Sequence, residues 1–179
     1  MSILINKLSL NKTILALIPS IEYNKSLVKT VRELSKEGSI CYVTLNKTFD
    51  SLIELFENKH INVKNIVFVD AITKTFKQVP NQTENVYFCI SPDALTEISI
   101  TIKKMLEHNF KFLIFDSLTN LIIYSKKEPI AQFVANLVNK IKTSNTSAIF
   151  YAVRIKEQKE FINEVGMFVD EVIELGKDW

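Results

Sequence analysis

Glycine is nearly absent from this chain. Three occur in 179 residues, at Gly38, Gly166 and Gly176. None precedes Gly38, so no glycine-rich turn can bring backbone N–H groups close to a phosphate in the N-terminal part. Arginine is almost as rare: Arg32 and Arg154 stand against twenty lysines. A chain that reads guanine edges or grips phosphates bidentately would carry more of it. Lysine still allows nonspecific phosphate contact. Cysteine is limited to Cys41 and Cys89, both inside apolar runs, with no CxxC and no Cys/His cluster. That excludes a disulfide framework and a thiolate metal site and leaves two reduced, buried thiols. No apolar run approaches the ~18 residues that span a bilayer. The N-terminus (MSILINKLSLNKTILALIPS) is apolar, but Lys12 interrupts it and no small-residue cleavage site follows, so it is not read as a signal peptide. Net charge is only +2, which favours neither nucleic acid nor a membrane surface. Repeats, low-complexity tracts and linkers are also missing, and one domain over residues 1–179 is expected.

What remains is a regular alternation of short apolar runs and segments of helical period. That pattern predicts an α/β fold with a mostly parallel central sheet. The strand candidates are Thr13–Ile18, Ile40–Leu45, Ile66–Val69, Val86–Ile90, Phe112–Phe115, Ser147–Val153 and Phe168–Glu174. Several are apolar throughout, as strands covered on both faces should be. The last one or two are expected at an edge, running antiparallel. Helices are expected over Lys25–Lys36, Phe49–Asn58 capped by Thr48, Pro92–His108 capped by Ser91, Glu128–Thr143, and Lys156–Val165. Residues 70–84 read as a polar loop in which Phe76 is the exposed contact candidate.

Two places carry chemistry. The first is the turn between TILALIP and the next helix, which reads SIEYNKSLVKTV. Laid against G-x4-G-K-[ST], it offers Pro19, then Ser20-Ile21-Glu22-Tyr23, then Asn24, Lys25 and Ser26. Both glycine positions are changed. Pro19 lacks an N–H and has a fixed φ. Glu22 brings a carboxylate, and Ile21 and Tyr23 bring bulk. The second is FLIFDSLTN, an apolar strand ending on Asp116 and followed by Ser117. Residue chemistry alone favours Asp116 as a cap on the following helix, through the N–H groups of residues 117–119. The other reading is an acid that holds the water shell of magnesium.

The chain resembles the RecA superfamily, and within it the KaiC-like branch widespread in archaea. The resemblance rests on IFDSLTNLIIY (114–124), similar to that branch's Walker B strand and following helix. SPDALTEISITI (91–102), CYVTLNKTFDSLIEL (41–55) and FVDEVIELG (168–176) support it, in order over nearly the whole chain. It implies a three-layer α/β/α RecA-like sandwich. It also implies that Lys25, Ser26, Asp116 and Ser117 are the remnant of a nucleotide site. The acidic residues that KaiC-like ATPases carry after the second strand are replaced by Asn46 and Lys47, which cannot serve as a carboxylate base. With the phosphate loop and the acid both lost, the implied protein is a pseudo-ATPase with no catalytic residues, no metal and no cofactor. It would act in the cytoplasm as a regulatory or scaffolding module. Its partner would be a protein, either a second copy or an active KaiC-like ATPase. In place of nucleotide and metal, Lys25 and Asp116 are expected to pair directly, with Ser26 and Ser117 completing the bonds. The alternative is a nucleotide-binding protein or weak ATPase using ATP and Mg2+ through an altered loop.

Other readings are weaker. A phospho-receiver would need an acidic pair after the first strand, where only Glu22 stands, with Asp70 as phosphoacceptor. A nucleic-acid adaptor would rest on Lys103-Lys104 and Lys126-Lys127 alone, each also a plain solvated helix end. His60 and His108 fall near helix C-termini, where a protonated His complements the dipole. Arg154 reads as a surface residue, and Trp179 as an exposed terminus.

Overall fold

A computed structural model describes residues 3–176; Trp179 lies outside the described residues. The elements in chain order are α1 (Ile3–Leu10), β1 (Thr13–Ile18), α2 (Tyr23–Glu37), β2 (Ile40–Thr44), α3 (Phe49–Asn58), β3 (Ile66–Asp70), β4 (Val86–Phe88), α4 (Leu95–Glu107), β5 (Phe112–Asp116), α5 (Leu118–Tyr124), α6 (Lys127–Lys142), β6 (Ser147–Val153), α7 (Lys159–Gly166) and β7 (Glu171–Glu174). The seven strands form one sheet in the order β4-β3-β2-β5-β6-β1-β7. Every pairing between them is parallel. This is a three-layer α/β/α RecA-like sandwich. Among the described residues, no helix is long and apolar enough to cross a membrane.

Alternation along the strands divides the interior into two cores. Leu113 and Phe115 of β5 and Phe150 of β6 point to one face, where they pack against α4, α5, α6 and α7. Tyr42, Ile114 and Tyr151 point to the other, under α1, α2 and α3. Both faces are covered, which is why β2 and β5 are buried at every position.

Two expectations are corrected, and one element is added. The last strand is not antiparallel. The α7 crossover returns the chain to the sheet's N-terminal side, so β7 runs parallel to β1, with Ile14 opposite Glu171. β7 starts at Glu171 rather than Phe168, because Met167 and Phe168 still turn off α7 through bonds to Glu164 and Val165. Second, α4 begins at Leu95, not Pro92. The Ser91 hydroxyl bonds the Asp93 carboxylate instead of capping, and Ala94 holds the cap position with no side-chain bond. The added element is a helix in the apolar N-terminal segment, for which no element is expected from the sequence. α1 buries Leu4 and Leu8 and is tied to β7 by Lys7 and Asn11, both bonded to Glu171.

The predicted Thr48 cap of α3 is present, its hydroxyl accepting from Ser51 N at 3.1 Å. Left-handed backbone follows α3 at His60 and α4 at Asn109, each with φ 55°. No described glycine has positive φ, so helix closure here is done by side chains that tolerate the conformation. Cys41 and Cys89 are free and buried. Phe76 is exposed, at 63%.

Candidate functional site

Parallel α/β sheets bind ligands beyond the C-terminal ends of their strands, where the strand order reverses. Here the reversal lies between β2 and β5. From β2 the chain proceeds outward to β3 and β4, then returns to lay β5 on the other side of β2. Thr44 and Asp116 are opposite one another at that point, and Leu45 N donates to Asp116 O at 2.7 Å.

Asp116 is fully buried. Its Oδ1 accepts from the Tyr23 hydroxyl, and from Asn46 Nδ2 at 3.2 Å. Its Oδ2 accepts from the Tyr42 hydroxyl at 2.5 Å. Tyr23 comes from the first turn of α2 and Tyr42 from the middle of β2, so two elements converge on one carboxylate. Tyr42 is fixed by its ring, which packs on Phe56 and Phe68 with centroids 5.7 and 5.6 Å away. Tyr23 lies edge-on to Tyr151 at 6.2 Å. The Asp116–Ser117 peptide is cis. Around this core, the Ser117 and Tyr151 hydroxyls and Asn46 Oδ1 are buried without a hydrogen-bond partner.

Burial raises the Asp116 pKa, opposed by the Tyr23 and Tyr42 hydroxyls, the Lys47 charge and Asn46. Burial also raises the pKa values of Tyr23 and Tyr42, and the nearby Asp116 charge raises them further. Both tyrosines therefore hold their protons at neutral pH and act as donors. The arrangement is a buried carboxyl group satisfied by two hydroxyl donors and an amide.

The turn after β1 is built differently from a phosphate cradle. Pro19 is extended, at φ −60° and ψ 138°, and residues 20–22 form one tight 3-10 turn. Glu22 N donates to Pro19 O at 2.9 Å, and Tyr23 N donates to Ser20 O. These N–H groups close on their own chain. Ile21 points outward, 87% exposed.

The expected Lys25–Asp116 pair does not form. The Lys25 side chain is 75% exposed, and its partner is Glu22 at 3.6 Å. α2 starts at Tyr23, two residues earlier than expected, and this directs Tyr23 inward and Asn24 and Lys25 outward. Ser26 is on the buried face of α2, and Ser117 is at the α5 cap position. Asn46 reaches Asp116, whereas Lys47 is held through its backbone by Thr44 Oγ1. Capping of α5 by Asp116 is also not seen, because the carboxylate is engaged by the tyrosines and Asn46.

These residues do not fit Mg-ATP. Magnesium needs carboxylate or water oxygens around it, and both Asp116 oxygens are already bonded inside the protein. The loop donors are used internally, and the lysine points to solvent. Among the described residues, no group of three or more His, Cys, Asp or Glu side chains could hold a metal.

Asp70, the phosphoacceptor of the receiver reading, is equally committed. It accepts from Phe49 N at 2.7 Å, from Ile72 N and Thr73 N at 2.8 Å, and from Thr73 Oγ1 at 2.5 Å. Arg154 is at the surface, paired with Glu174 at 2.8 Å.

Sequence reasoning missed Tyr23 and Tyr42 as site residues. A signal existed. Tyr42 is a hydroxyl-bearing ring in the middle of a strand whose flanking residues, Cys41 and Val43, are apolar, and such a hydroxyl needs a buried partner.

Comparison with known proteins places the chain in a family but not in a pathway. A family model described as "Family of unknown function (DUF7090)" matches residues 50–179, and the chain belongs to that family. No curated protein matches it. Among solved structures, it is similar to the uncharacterised protein PH0321 of Pyrococcus horikoshii, solved in complex with an unknown peptide. That likeness has a TM-score of 0.69 and 12% identity over 94% of this chain and 80% of that one. It is also similar to the KaiC-like protein PH0186 of the same organism, with a TM-score of 0.57 and 13% identity over 93% of this chain and 72% of that one. These likenesses establish a shared fold.

Proposed function

We propose that this DUF7090 member is a KaiC-like pseudo-ATPase, a cytoplasmic regulatory or scaffolding module that acts through protein contacts and performs no nucleotide chemistry. The observation that carries the reading is the state of Asp116. The residue that would organise magnesium in an active relative is closed off by Tyr23, Tyr42 and Asn46. Hydroxyl dipoles stand where a cation would be required, and the donors come from α2, β2 and the turn that follows β2. Loss of the loop glycines and of the acids at 46 and 47 points the same way. An undamaged fold around a closed site suits a protein retained for its surface. Its partner would be a second copy of the chain or an active KaiC-like ATPase. Nucleic acid and membrane are not expected partners. The peptide bound to the similarly folded PH0321 is compatible with a contact role for this architecture.

A thermal-shift titration with ATP, ADP and GTP, with and without magnesium, tests the reading. A ligand present at 100 times its dissociation constant would stabilise the fold by about 2.7 kcal/mol. No shift is expected. A magnesium-dependent shift abolished by Lys25→Ala would instead establish an altered-loop nucleotide binder.

A further inference from the structure

A cluster of like charge lies away from the Asp116 site, in a groove between α2 and α3. Lys25, Lys29, Arg32 and Lys36 repeat along α2 at spacings of four, three and four residues, which places them on one helical face. Lys59, just past α3, adds a fifth cation. The groove is lined by five of the chain's 22 Lys and Arg residues and by one, Glu33, of its 20 Asp and Glu residues, while Glu22 meets Lys25 at 3.6 Å from just outside it. One Glu33 carboxylate oxygen is buried without a hydrogen-bond partner. The cavity measures about 720 Å³, and Val28 and Leu55 form its apolar floor. The Arg32 guanidinium donates to Lys59 O at 3.0 Å, fixing the two walls against each other.

We propose that this groove binds an acidic amphipathic helix of a protein partner. The inference rests on reading the chain as a protein-interaction module and names the chemistry of the partner. From Lys25 to Lys36 the cationic row runs about 17 Å, the length of three helical turns. Carboxylates at the same four-three-four spacing on a partner helix would meet it, while leucine-type side chains between them would cover Val28 and Leu55. Nucleic acid fits less well. The exposed Phe and Tyr side chains among the described residues, Phe76 and Tyr124, are elsewhere, which leaves bases only the Arg32 guanidinium to stack on, and that group is tied to Lys59 O. An apolar floor also offers nothing to a phosphate backbone.

The test is fluorescence polarisation with a labelled synthetic helix of about four turns, carrying glutamates at the four-three-four spacing and leucines between them. A peptide of the same composition in scrambled order and inorganic polyphosphate serve as controls. The full chain should bind the patterned helix at least tenfold more tightly than the scrambled one, with affinity falling as salt rises. The variant Lys25→Glu/Lys36→Glu/Lys59→Glu should lose at least tenfold while melting within a few degrees of the parent. Leu55→Ser should weaken binding without changing the salt dependence. The proposal is overturned if the patterned helix does not bind, if the scrambled peptide or polyphosphate occupies the groove equally well, or if the folded triple variant binds as the parent does. Failure here with a flat nucleotide titration removes the groove and leaves the non-catalytic reading. A magnesium-nucleotide shift with helix binding intact does the reverse.

Discussion

Tyr42→Phe removes one oxygen from the interior and leaves everything else in place. The ring's contacts with Phe56 and Phe68 are unchanged, so the variant reports on the hydroxyl alone. That hydroxyl donates to Asp116 Oδ2 at 2.5 Å inside a fully buried cluster. A hydrogen bond to a charged group contributes about 1.5–3 kcal/mol, and an unmet buried acceptor carries a further desolvation cost. For a chain of this length, the loss corresponds to a fall in melting temperature of about 4–10 °C. The effect should also depend on pH. Asp116 has a folded pKa raised by burial. Its contribution is therefore present in full below the unfolded pKa and is lost as pH rises through the folded one. The tyrosine hydroxyls oppose that loss by favouring the carboxylate. Without Tyr42 the folded pKa rises further, so stability should decline more steeply from acid to neutral pH, and the deficit should shrink again in acid. Urea denaturation over a pH series reads both effects. In an Asp116→Asn background the penalty should fall by half or more. An unchanged midpoint at pH 7, or an equal penalty with and without the Asp116 charge, would refute the reasoning.

Two further outcomes follow from buried groups away from that cluster. Asp70→Ala breaks four bonds that join β3 to the start of α3 and to the turn at 71–73, and should cost about 3 kcal/mol or more. Hydrogen exchange should show the amides of Phe49, Ile72 and Thr73 losing protection first; uniform loss across the fold would contradict the local account. At alkaline pH, burial pushes the Cys41 thiol up to about 12 and the Cys89 thiol up to about 11. The folded thiols then keep protons that the unfolded chain releases near 9, so stability should fall as pH rises from there through 11 and 12. Cys41→Ala should flatten the upper part of that decline, and an unaltered slope would disprove the assignment.

Much of the sheet was legible because buried parallel strands leave little freedom in composition. Thr13–Ile18 and Ser147–Val153 occur with the predicted bounds, and Asp116 ends β5 as its position after four apolar residues implied. The direction of β7 was not legible, since it depends on how α7 crosses the sheet rather than on any property of FVDEVIELG. The α4 start was misjudged because Ser91 found a nearer partner in Asp93 than the helix amides. At the site, sequence reasoning singled out Asp116 and expected a partner, Lys25, that does not reach it. A lysine was expected to meet Asp116 because opposite charges pair. A long cation inside the sheet would have had to be desolvated, whereas tyrosine delivers a donor on an apolar ring at lower cost. Whether Tyr23 or Lys25 turned inward depended on the two-residue advance in the start of α2, a boundary that helical periodicity alone does not fix.

The most direct test of the central claim is titration of the full chain with Mn2+ as a magnesium stand-in, followed by electron paramagnetic resonance with and without ATP. If Asp116 is satisfied by Tyr23, Tyr42 and Asn46, the signal will match that of buffer with Mn2+ and ATP alone at every concentration. A protein-bound Mn2+–ATP signal that disappears in Asp116→Asn would contradict the account, because it would show that the tyrosines yield the carboxylate to a metal.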